Sequence, residues 1–346
     1  MKNILQKGFS MGRKTTAKDV AKAAGVSAST VDRVLNGRGG VDPDKERRVV
    51  EWARKLKLDR ALRHRPVRAL RIAVLIQPPE NPFYAAVQDA FAAANRAYGD
   101  FNMQFLVRHF DAGRPSILPR LVRDLGDRHD GLILTVPQSD ALADAIREVA
   151  ARIPVVTLAT DVRDCGRHAY VGPDDRRAGR VAGDLMGRFL APAGGDVVMI
   201  AGLLSLIGNE EREMGFRSVL RERYPECRVA VVLESQERAE RAGELVRDAL
   251  NANPDIRGVY SVSAGAPVVV DALKALGRED VVFITHELTP DRRELLRQGL
   301  IDAIIDQNPE FEVRAAIETM ARLTGRLEGP SSTTITPVHI HMIENA

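Results

Sequence analysis

From residue 70 onward, short apolar runs alternate with stretches in which apolar residues recur at helical spacing. The runs lie at 72–76, 131–136, 155–158, 197–200, 229–233, 258–262, 281–285 and 301–305. The helical stretches lie at 83–98, 141–150, 176–189, 237–250, 268–276 and 309–323. Because strands alternate with helices, the pattern predicts an α/β body of parallel sheets covered by helices on both faces. The strands are too many for one small sheet, so we expect two Rossmann-like subdomains, with ligands bound beyond the carboxyl ends of the strands.

Toward the N-terminus the pattern changes to short amphipathic segments separated by polar turns. Thr16, with Asp19 three residues later, indicates a helix start, although the acid is Asp rather than the Glu or Gln of a full capping box. Gly25 suits a tight chain reversal, and Ser27 then caps a second helix over 28–35. With a third helix behind them, these segments predict a small all-α helix-turn-helix headpiece, whose second helix would enter the major groove of DNA.

Charge separates the same two regions. The chain of 346 residues has a formal net charge of only +3. Residues 1–68 hold 18 Lys and Arg against 7 Asp and Glu, a net +11, whereas the remaining residues hold 32 against 40, a net −8. A basic unit on an acidic body indicates a polyanionic partner, either nucleic acid or an anionic membrane. The sequence contains no run of about 18 apolar residues, so it predicts no membrane span.

The headpiece resembles the LacI/GalR family of bacterial transcription regulators. The matching segments are Asp19-Val20-Ala21, Ala24-Gly25-Val26-Ser27, Thr30-Val31 and Arg33-Val34-Leu35-Asn36. The resemblance implies base-reading residues, which are Ala28, Ser29 and Arg33, and an Arg can pair bidentately with guanine. It also implies phosphate-binding residues, which are Thr16, Ser27, Thr30 and Asn36, with local capping or helix packing as the alternative role of each.

Asp32 departs from the family pattern, which usually has Ser at this position of the helix. A carboxylate near phosphate is repulsive unless it orients Arg33 or points away, and the sequence leaves both alternatives open.

The linker also departs from the pattern. The family has a hinge helix there that enters the minor groove; here the basic segment 59–70 is short, Pro66 opposes a helix, and Leu62 is the only candidate for an inserted side chain.

The body resembles the periplasmic sugar-binding-protein fold, in its ribose-binding branch, over residues 70–325. The resemblance implies that a sugar-like effector contacts Asn81, Phe83, Tyr84, Gln138, Glu287 and Gln307. Four further candidates stand at or beside positions where the family's usual polar residue is replaced; they are Asp161, Glu210, Arg212 and Ser263. Aromatic faces suit the apolar face of a sugar ring, and amide and carboxylate groups suit its hydroxyls.

These observations predict a domain order. We expect a disordered extension over 1–13, the headpiece over 14–58, the linker over 59–70 and the effector-binding body over 71–346. Within the body, we expect one subdomain from 71–160 and 288–306, and the other from 161–287 and 307–346.

The sequence gives little support to the hypothesis that the protein is an enzyme. The sequence has no Walker A loop, no GxGxxG after a strand, no GxSxG and no HExxH. His286, Glu287 and Asp306 are the best acid–base candidates, and His339-Ile-His341 has the alternation of a strand rather than of a metal site. Cys165 and Cys227 are expected to be reduced structural thiols. We therefore expect no cofactor and no metal.

The leading interpretation is a cytoplasmic, homodimeric DNA-binding regulator, most often a repressor in this family, controlled allosterically by a sugar, polyol or derivative. Its N-terminal stretch has too short an apolar run for an export signal. The alternative is a sugar-binding protein for transport, and an enzyme on a Rossmann-like body is third.

Overall fold

A computed structural model describes residues 15–36, 38, 40–56, 58, 68–97 and 101–346. The chain divides into two compact units, one of Met1–Ala69 with Asp100–Asn102 and one of Leu70–Gly99 with Met103–Ala346. The expected N-terminal extension, most of the linker and its candidate Leu62 lie outside the described residues. Among the helices that are described, none has the length and apolar character needed to cross a membrane.

Three helices form the headpiece. They are α1 (Ala17–Ala24), α2 (Ala28–Leu35) and α3 (Pro43–Lys55). The cap of α1 is a complete capping box despite its Asp: the Thr16 backbone N–H donates to the Asp19 carboxylate at 2.8 Å, and the Thr16 hydroxyl accepts from the Asp19 backbone N–H at 3.4 Å. Gly25 has φ of +65°, which a residue without Cβ adopts freely.

The headpiece core comes from the apolar positions that the sequence pattern predicts. Val20, Val31, Val34, Val49 and Ala53 are almost completely buried, and Trp52 packs against them. A core this small holds the three helices at fixed angles, and it leaves the opposite face of α2 to solvent. The predicted helix-turn-helix is therefore confirmed.

The body contains two six-stranded sheets. The strands of the first sheet are β1 (Leu70–Ile76), β2 (Met103–His109), β3 (Gly131–Leu134), β4 (Val155–Leu158), β5 (Ala169–Pro173) and β11 (Thr334–Thr336). The strands of the second are β6 (Gly195–Ala201), β7 (Cys227–Glu234), β8 (Ile256–Ser261), β9 (Val282–His286), β10 (Ala303–Asp306) and β12 (His339–His341). Their orders are β11-β5-β4-β3-β1-β2 and β12-β10-β9-β8-β6-β7, and every pairing is parallel except that of β12 with β10.

Helices cover both faces of each sheet, as the predicted α/β body requires. They are α4 (Pro82–Ala97), α5 (Leu118–Arg128), α6 (Asp140–Ala150), α7 (Asp175–Leu190), α8 (Ile207–Arg223), α9 (Ala239–Ala252), α10 (Ala266–Ala275), α11 (Pro290–Arg297) and α12 (Pro309–Leu323). Because the central strands are buried on both faces, they read as continuous apolar runs. The edge strand β2 is partly exposed, so its polar residues interrupt the run and no strand was predicted there.

The chain crosses between the two sheets at three points. It leaves the first sheet after β5 and enters α7, which packs on the second sheet; it returns after β10 into α12, which packs on the first; and it crosses again between β11 and β12. The predicted boundary at 306 coincides with a crossing, whereas those at 160 and 287 do not. The first subdomain extends through β5, and residues 288–306 belong with the second sheet and α12 with the first, the reverse of the prediction. Pairing between distant strands decides the boundaries: β5 pairs with β4, and β10 pairs with β9.

Two smaller predictions can be checked against this fold. His339-Ile-His341 is a strand, as its alternation indicates. Cys165 and Cys227 are buried free thiols, and burial raises the pKa of both. The described residues contain no group of three or more His, Cys, Asp or Glu side chains that could hold a metal ion.

Candidate nucleic-acid interface and ligand cavity

The exposed face of α2 carries the residues expected to contact DNA. Ala28, Ser29, Arg33 and Asn36 are exposed, while Val31, Val34 and Leu35 turn into the core. The hydroxyl of Ser27 accepts from the Thr30 backbone N–H at 3.1 Å and lies 2.9 Å from the Ser29 hydroxyl. Helical spacing and a capped first turn therefore present this set on one solvent-facing surface.

Asp32 does not contact Arg33 in this structure. Its carboxylate accepts hydrogen bonds from the Asn36 side-chain amide at 2.6 Å and from Arg38 Nη1 at 3.1 Å. The carboxylate thus neutralises Arg38 and fixes the amide of Asn36 at the end of α2. Of the two alternatives left open by the sequence, the orienting of Arg33 is not observed, and an Asp32 that points away from phosphate stays a prediction.

In the body, a cavity lies between the carboxyl ends of the two sets of strands. The non-atom space inside it, with the open solvent at its mouth included, is about 480 Å³. Seven of the ten predicted effector contacts line it, namely Asn81, Phe83, Tyr84, Arg212, Ser263, Glu287 and Gln307. The position agrees with the general rule for ligands of parallel α/β sheets.

One wall of the cavity is aromatic. The Asn81 side-chain oxygen accepts from the Phe83 backbone N–H at 3.0 Å and so holds the start of α4. The rings of Phe83 and Tyr84 meet edge to face, with centroids 5.2 Å apart. The hydroxyl of Tyr84 accepts from Gln77 Nε2 at 3.0 Å, and burial raises the pKa of Tyr84 well above its ordinary value. Both residues therefore offer ring surface to a ligand.

Arg212 forms the polar floor of the cavity. Its Nε donates to Asp175 Oδ1 and its Nη2 to Gln307 Oε1, both at 2.8 Å, and the ion pair is almost completely buried. Burial raises the pKa of Asp175 to about 6, against the opposing effect of Arg212. Close packing of α7 on α8 makes the contact possible, because a Cβ at Gly179 would lie 2.0 Å from the Arg212 carbonyl oxygen.

A second buried guanidinium, which sequence reasoning missed, organises the opposite side. Arg292 Nη1 donates to the His286 carbonyl at 2.5 Å and to Glu287 Oε2 at 3.1 Å, and its Nη2 donates to the Ser263 carbonyl at 2.9 Å. Burial nevertheless raises the pKa of Glu287. The Ser263 hydroxyl lies 2.5 Å from that of Ser235.

Glu237 is a second charged lining residue that the sequence did not reveal. It follows β7 in the left-handed region, with φ of +59°, and its Oε2 accepts from Asn81 Nδ2 at 3.0 Å, so the bond joins the two subdomains. Burial and the nearby negative charge of Glu287 raise the pKa of Glu237 to about 7. The sequence feature that points to Glu237 is its position just beyond a predicted strand, where the ligand-binding side chains of parallel α/β folds are found.

The remaining three predicted contacts lie outside the cavity lining. Gln138 Oε1 accepts from the Arg163 backbone N–H at 2.8 Å, and Asp161 forms an ion pair with Arg167. Glu210 is about half exposed and lies 3.3 Å from Arg163 Nη2. Local arginines thus engage all three. Arg163 also pairs with Glu211 at 2.8 Å, which makes this region a second polar contact between the subdomains.

The acid–base candidates are held in structural contacts. His286 Nε2 lies 2.8 Å from the Tyr260 hydroxyl, and burial lowers the pKa of His286 well below its ordinary value, so the ring is neutral. Asp306 accepts from the Leu288 backbone N–H at 3.2 Å. The third candidate, Glu287, lines the cavity and pairs with Arg292 at 3.1 Å.

Comparison with known proteins agrees with both parts of the chain. The model of a periplasmic binding protein domain matches residues 72–327, and the model of bacterial regulatory proteins of the lacI family matches residues 16–57. The ribose import binding protein RbsB of Salmonella typhimurium is 26% identical, over 69% of this chain and 79% of its own length. The maltose regulon regulatory protein MalI of Escherichia coli is 27% identical, over 71% of each chain.

Among solved structures, a solute-binding protein of an ABC transporter from Burkholderia graminis, in complex with D-arabinose, superposes with a TM-score of 0.73. Its sequence identity is 22%, over 80% of this chain and 96% of that chain, so it shows the fold alone. The fold, the exposed recognition helix and both family models lead to one conclusion: the chain belongs to the lacI family of bacterial regulatory proteins and is a DNA-binding transcriptional regulator with a periplasmic-binding-protein domain as its body.

Proposed function

We propose that this regulator is a cytoplasmic homodimeric repressor, and that a sugar-like effector bound in the body's cavity changes its affinity for an operator. The observation that carries the proposal is the cavity itself, where side chains from both subdomains meet beyond the carboxyl ends of the strands. A ligand there would contact both subdomains at once. It would therefore bind the closed arrangement more tightly than an open one, which is the condition for shifting an equilibrium.

The chemistry of the lining supports a polyhydroxyl ligand. Phe83 and Tyr84 supply ring surface for the apolar face of a sugar. Asn209 and Gln307 supply amides, and Glu287 supplies a carboxylate. A hydroxyl both donates and accepts hydrogen bonds, so adjacent hydroxyls are best met by such a mixture.

The connections between the subdomains supply the mechanism. In the part of the body that the structure describes, only three chain segments join the sheets, so one subdomain can rotate on the other with few changes in backbone angles. The bonds Asn81–Glu237 and Arg163–Glu211 form across the cleft in the closed arrangement. An effector that adds to these contacts would alter operator affinity by a coupling free energy of about 1–3 kcal/mol.

Dimerisation follows from the geometry of DNA reading. A single α2 covers only a few base pairs, and helix-turn-helix proteins gain affinity by placing two recognition helices about one helical turn apart. We propose that Arg33 reads a base edge, with Ala28 and Ser29 beside it. Thr16, Ser27, Thr30 and Asn36 would then bind phosphates and set the register.

Fluorescence anisotropy with a labelled duplex from the region upstream of the protein's own gene tests the proposal. We expect specific binding at 150 mM salt, with a random duplex of equal length as the control. Between 50 and 200 mM salt the affinity should fall by a factor of about 10³–10⁵, as expected for 6–10 phosphate contacts.

A panel of sugars and polyols should then contain a compound that changes the operator affinity. Failure to prefer any duplex over the random control would refute the regulator, and sugar binding without DNA binding would favour a solute-binding protein.

A further inference from the structure

The charges that line the cavity do not balance. Among the described residues, four charged side chains line it: Arg212, Arg292, Glu237 and Glu287. Arg212 is neutralised by its buried partner Asp175, which lies behind the lining. The other guanidinium, that of Arg292, is left to compensate two carboxylates. The cavity therefore carries one negative charge in excess.

The excess charge is located at Glu237. Arg292 makes its direct ion pair with Glu287, at 3.1 Å. In the described part of the chain, no Lys, Arg or His nitrogen forms an ion pair with Glu237, which accepts from the neutral amide of Asn81 at 3.0 Å and from the Ala264 backbone N–H. Glu237 is half-buried, and a carboxylate partly withdrawn from water without a cation is costly, so such groups are normally paired or neutralised. A ligand that brings a cation to this position would remove that cost.

A donor without a partner lies on the same side of the cavity. Arg292 is 2% exposed, and its Nε is buried and makes no hydrogen bond to any described group. Buried donors in native proteins are almost always satisfied. The terminal nitrogens of Arg292 already donate to two carbonyls and to Glu287. Its Nε is therefore the donor that could bind an acceptor atom of a ligand.

We infer that the effector is a cationic polyol, an amino sugar or a related amino alcohol, whose ammonium group pairs with Glu237 and whose neighbouring hydroxyl accepts from Arg292. The inference rests on the proposed function and gives it a ligand class. A neutral sugar would leave the excess charge of the cavity uncompensated, and an anionic sugar derivative would add a like charge beside Glu237 and Glu287. The aromatic wall of Phe83 and Tyr84 also favours a cation near its ring faces.

Charged groups outside the cavity do not replace the missing cation. A groove that shares Asn81 and Glu237 with the cavity is also lined by Glu80, His109, Asp111 and Arg238. The two further carboxylates favour the entry of a cation. Arg238 is exposed and forms no ion pair with Glu237.

Isothermal titration of the full-length protein at pH 7.5 and constant ionic strength tests the inference. The ligands are D-glucosamine, D-galactosamine and D-mannosamine, each beside its neutral parent hexose and its N-acetyl derivative. We expect at least one amine to bind about tenfold or more tightly than both of its neutral counterparts, the ratio given by about 1.4 kcal/mol of ion pairing. Glu237→Gln should bring that ratio close to one, while the exposed Glu240→Gln, as the matched control, should leave it unchanged. Thermal melts of both variants check folding.

Three results would overturn the inference or its assigned residue. If a neutral hexose binds and alters operator affinity while no amine exceeds it, the ligand class is wrong and the proposed regulator stands. If an amine is preferred and Glu237→Gln retains the preference, the assigned residue is wrong. If no compound of either kind changes operator affinity, the inference and the sugar response of the proposed function both fail.

Discussion

Arg212 Nη2 donates a 2.8 Å hydrogen bond to Gln307 Oε1 and thereby ties helix α8 to one of the segments that join the two subdomains. Through its Nε the same guanidinium binds Asp175, which begins α7 just after another of these segments. One side chain that lines the cavity thus touches two of the three connections. A proposed ligand contact therefore lies beside the segments about which one subdomain would rotate on the other.

Replacing Arg212 by Met should destabilise the protein strongly. The substitution leaves the buried Asp175 without its cation, and breaking a buried pair in this way costs about 3–5 kcal/mol. Urea unfolding of the full chain measures it. Asp175 gains a proton more easily at low pH, so the loss should be smaller at pH 5.5 than at pH 8. The double variant Asp175→Asn with Arg212→Met is the control and should recover most of the loss; if it is no more stable than the single variant, the pair does not hold this part of the fold.

Phe83→Ala should abolish the effector response and keep operator binding, because the ring lines the cavity of the body whereas the proposed DNA contacts all lie in the headpiece. The same is expected of Gln307→Ala. Operator affinity with and without effector, measured by anisotropy, separates the two activities, and thermal melts exclude unfolding. Unchanged effector affinity in both variants would show that the ligand binds elsewhere.

Arg33→Ala should relax base preference at one position of each half-site, at a cost of about 1–3 kcal/mol on the preferred base. Asn36→Ala, on the phosphate-facing set, should weaken operator and random duplexes alike. Competition assays over a set of single-base operator variants measure the difference. Equal loss on specific and random DNA for Arg33→Ala would contradict its assignment to a base edge.

Asp32→Ser should strengthen binding to all duplexes. The carboxylate neutralises Arg38, and the pair is exposed, so its loss costs less than about 1 kcal/mol of stability. Freed from Asp32, Arg38 should gain a phosphate contact and make the slope of log affinity against log salt steeper by about one. A variant that instead loses affinity only for the operator would show that Asp32 acts by positioning Asn36.

Glu237→Gln should stabilise the unliganded protein above neutral pH. The folded state raises the pKa of Glu237 to about 7, so the folded protein binds more protons than the unfolded chain between about pH 4.5 and 7. The free energy of unfolding that this group contributes therefore falls as pH rises through that window. At pH 8 the variant should exceed the wild type by about 2 kcal/mol, with no difference near pH 4. Equal curves at both pH values would mean that the Glu237 carboxylate is well solvated.

Local patterns in the sequence were sufficient for much of the fold. Helix α12 was predicted with its observed bounds, and the capped helices of the headpiece follow from Thr16, Ser27 and Gly25. Elements with weaker periodicity were not predicted. Helix α8 carries charged residues over most of its length, and β2 lies at an exposed edge, so neither shows a clear apolar pattern.

The sequence by itself determined the family, the helix-turn-helix, the alternation of strands and helices, and seven residues of the cavity, because these depend on local spacing and on motifs that follow strand ends. Tertiary structure alone decided which strands share a sheet, since β5 and β10 are assigned by hydrogen bonds to distant segments. It also decided the charge balance of the cavity. Asn81 and Glu237 are 156 positions apart and meet because the fold brings the two subdomains together, and a turn brings Arg292 to Glu287. Whether a carboxylate pairs with a cation of the protein or remains available to a cation of the ligand depends on that packing, which no local sequence pattern specifies.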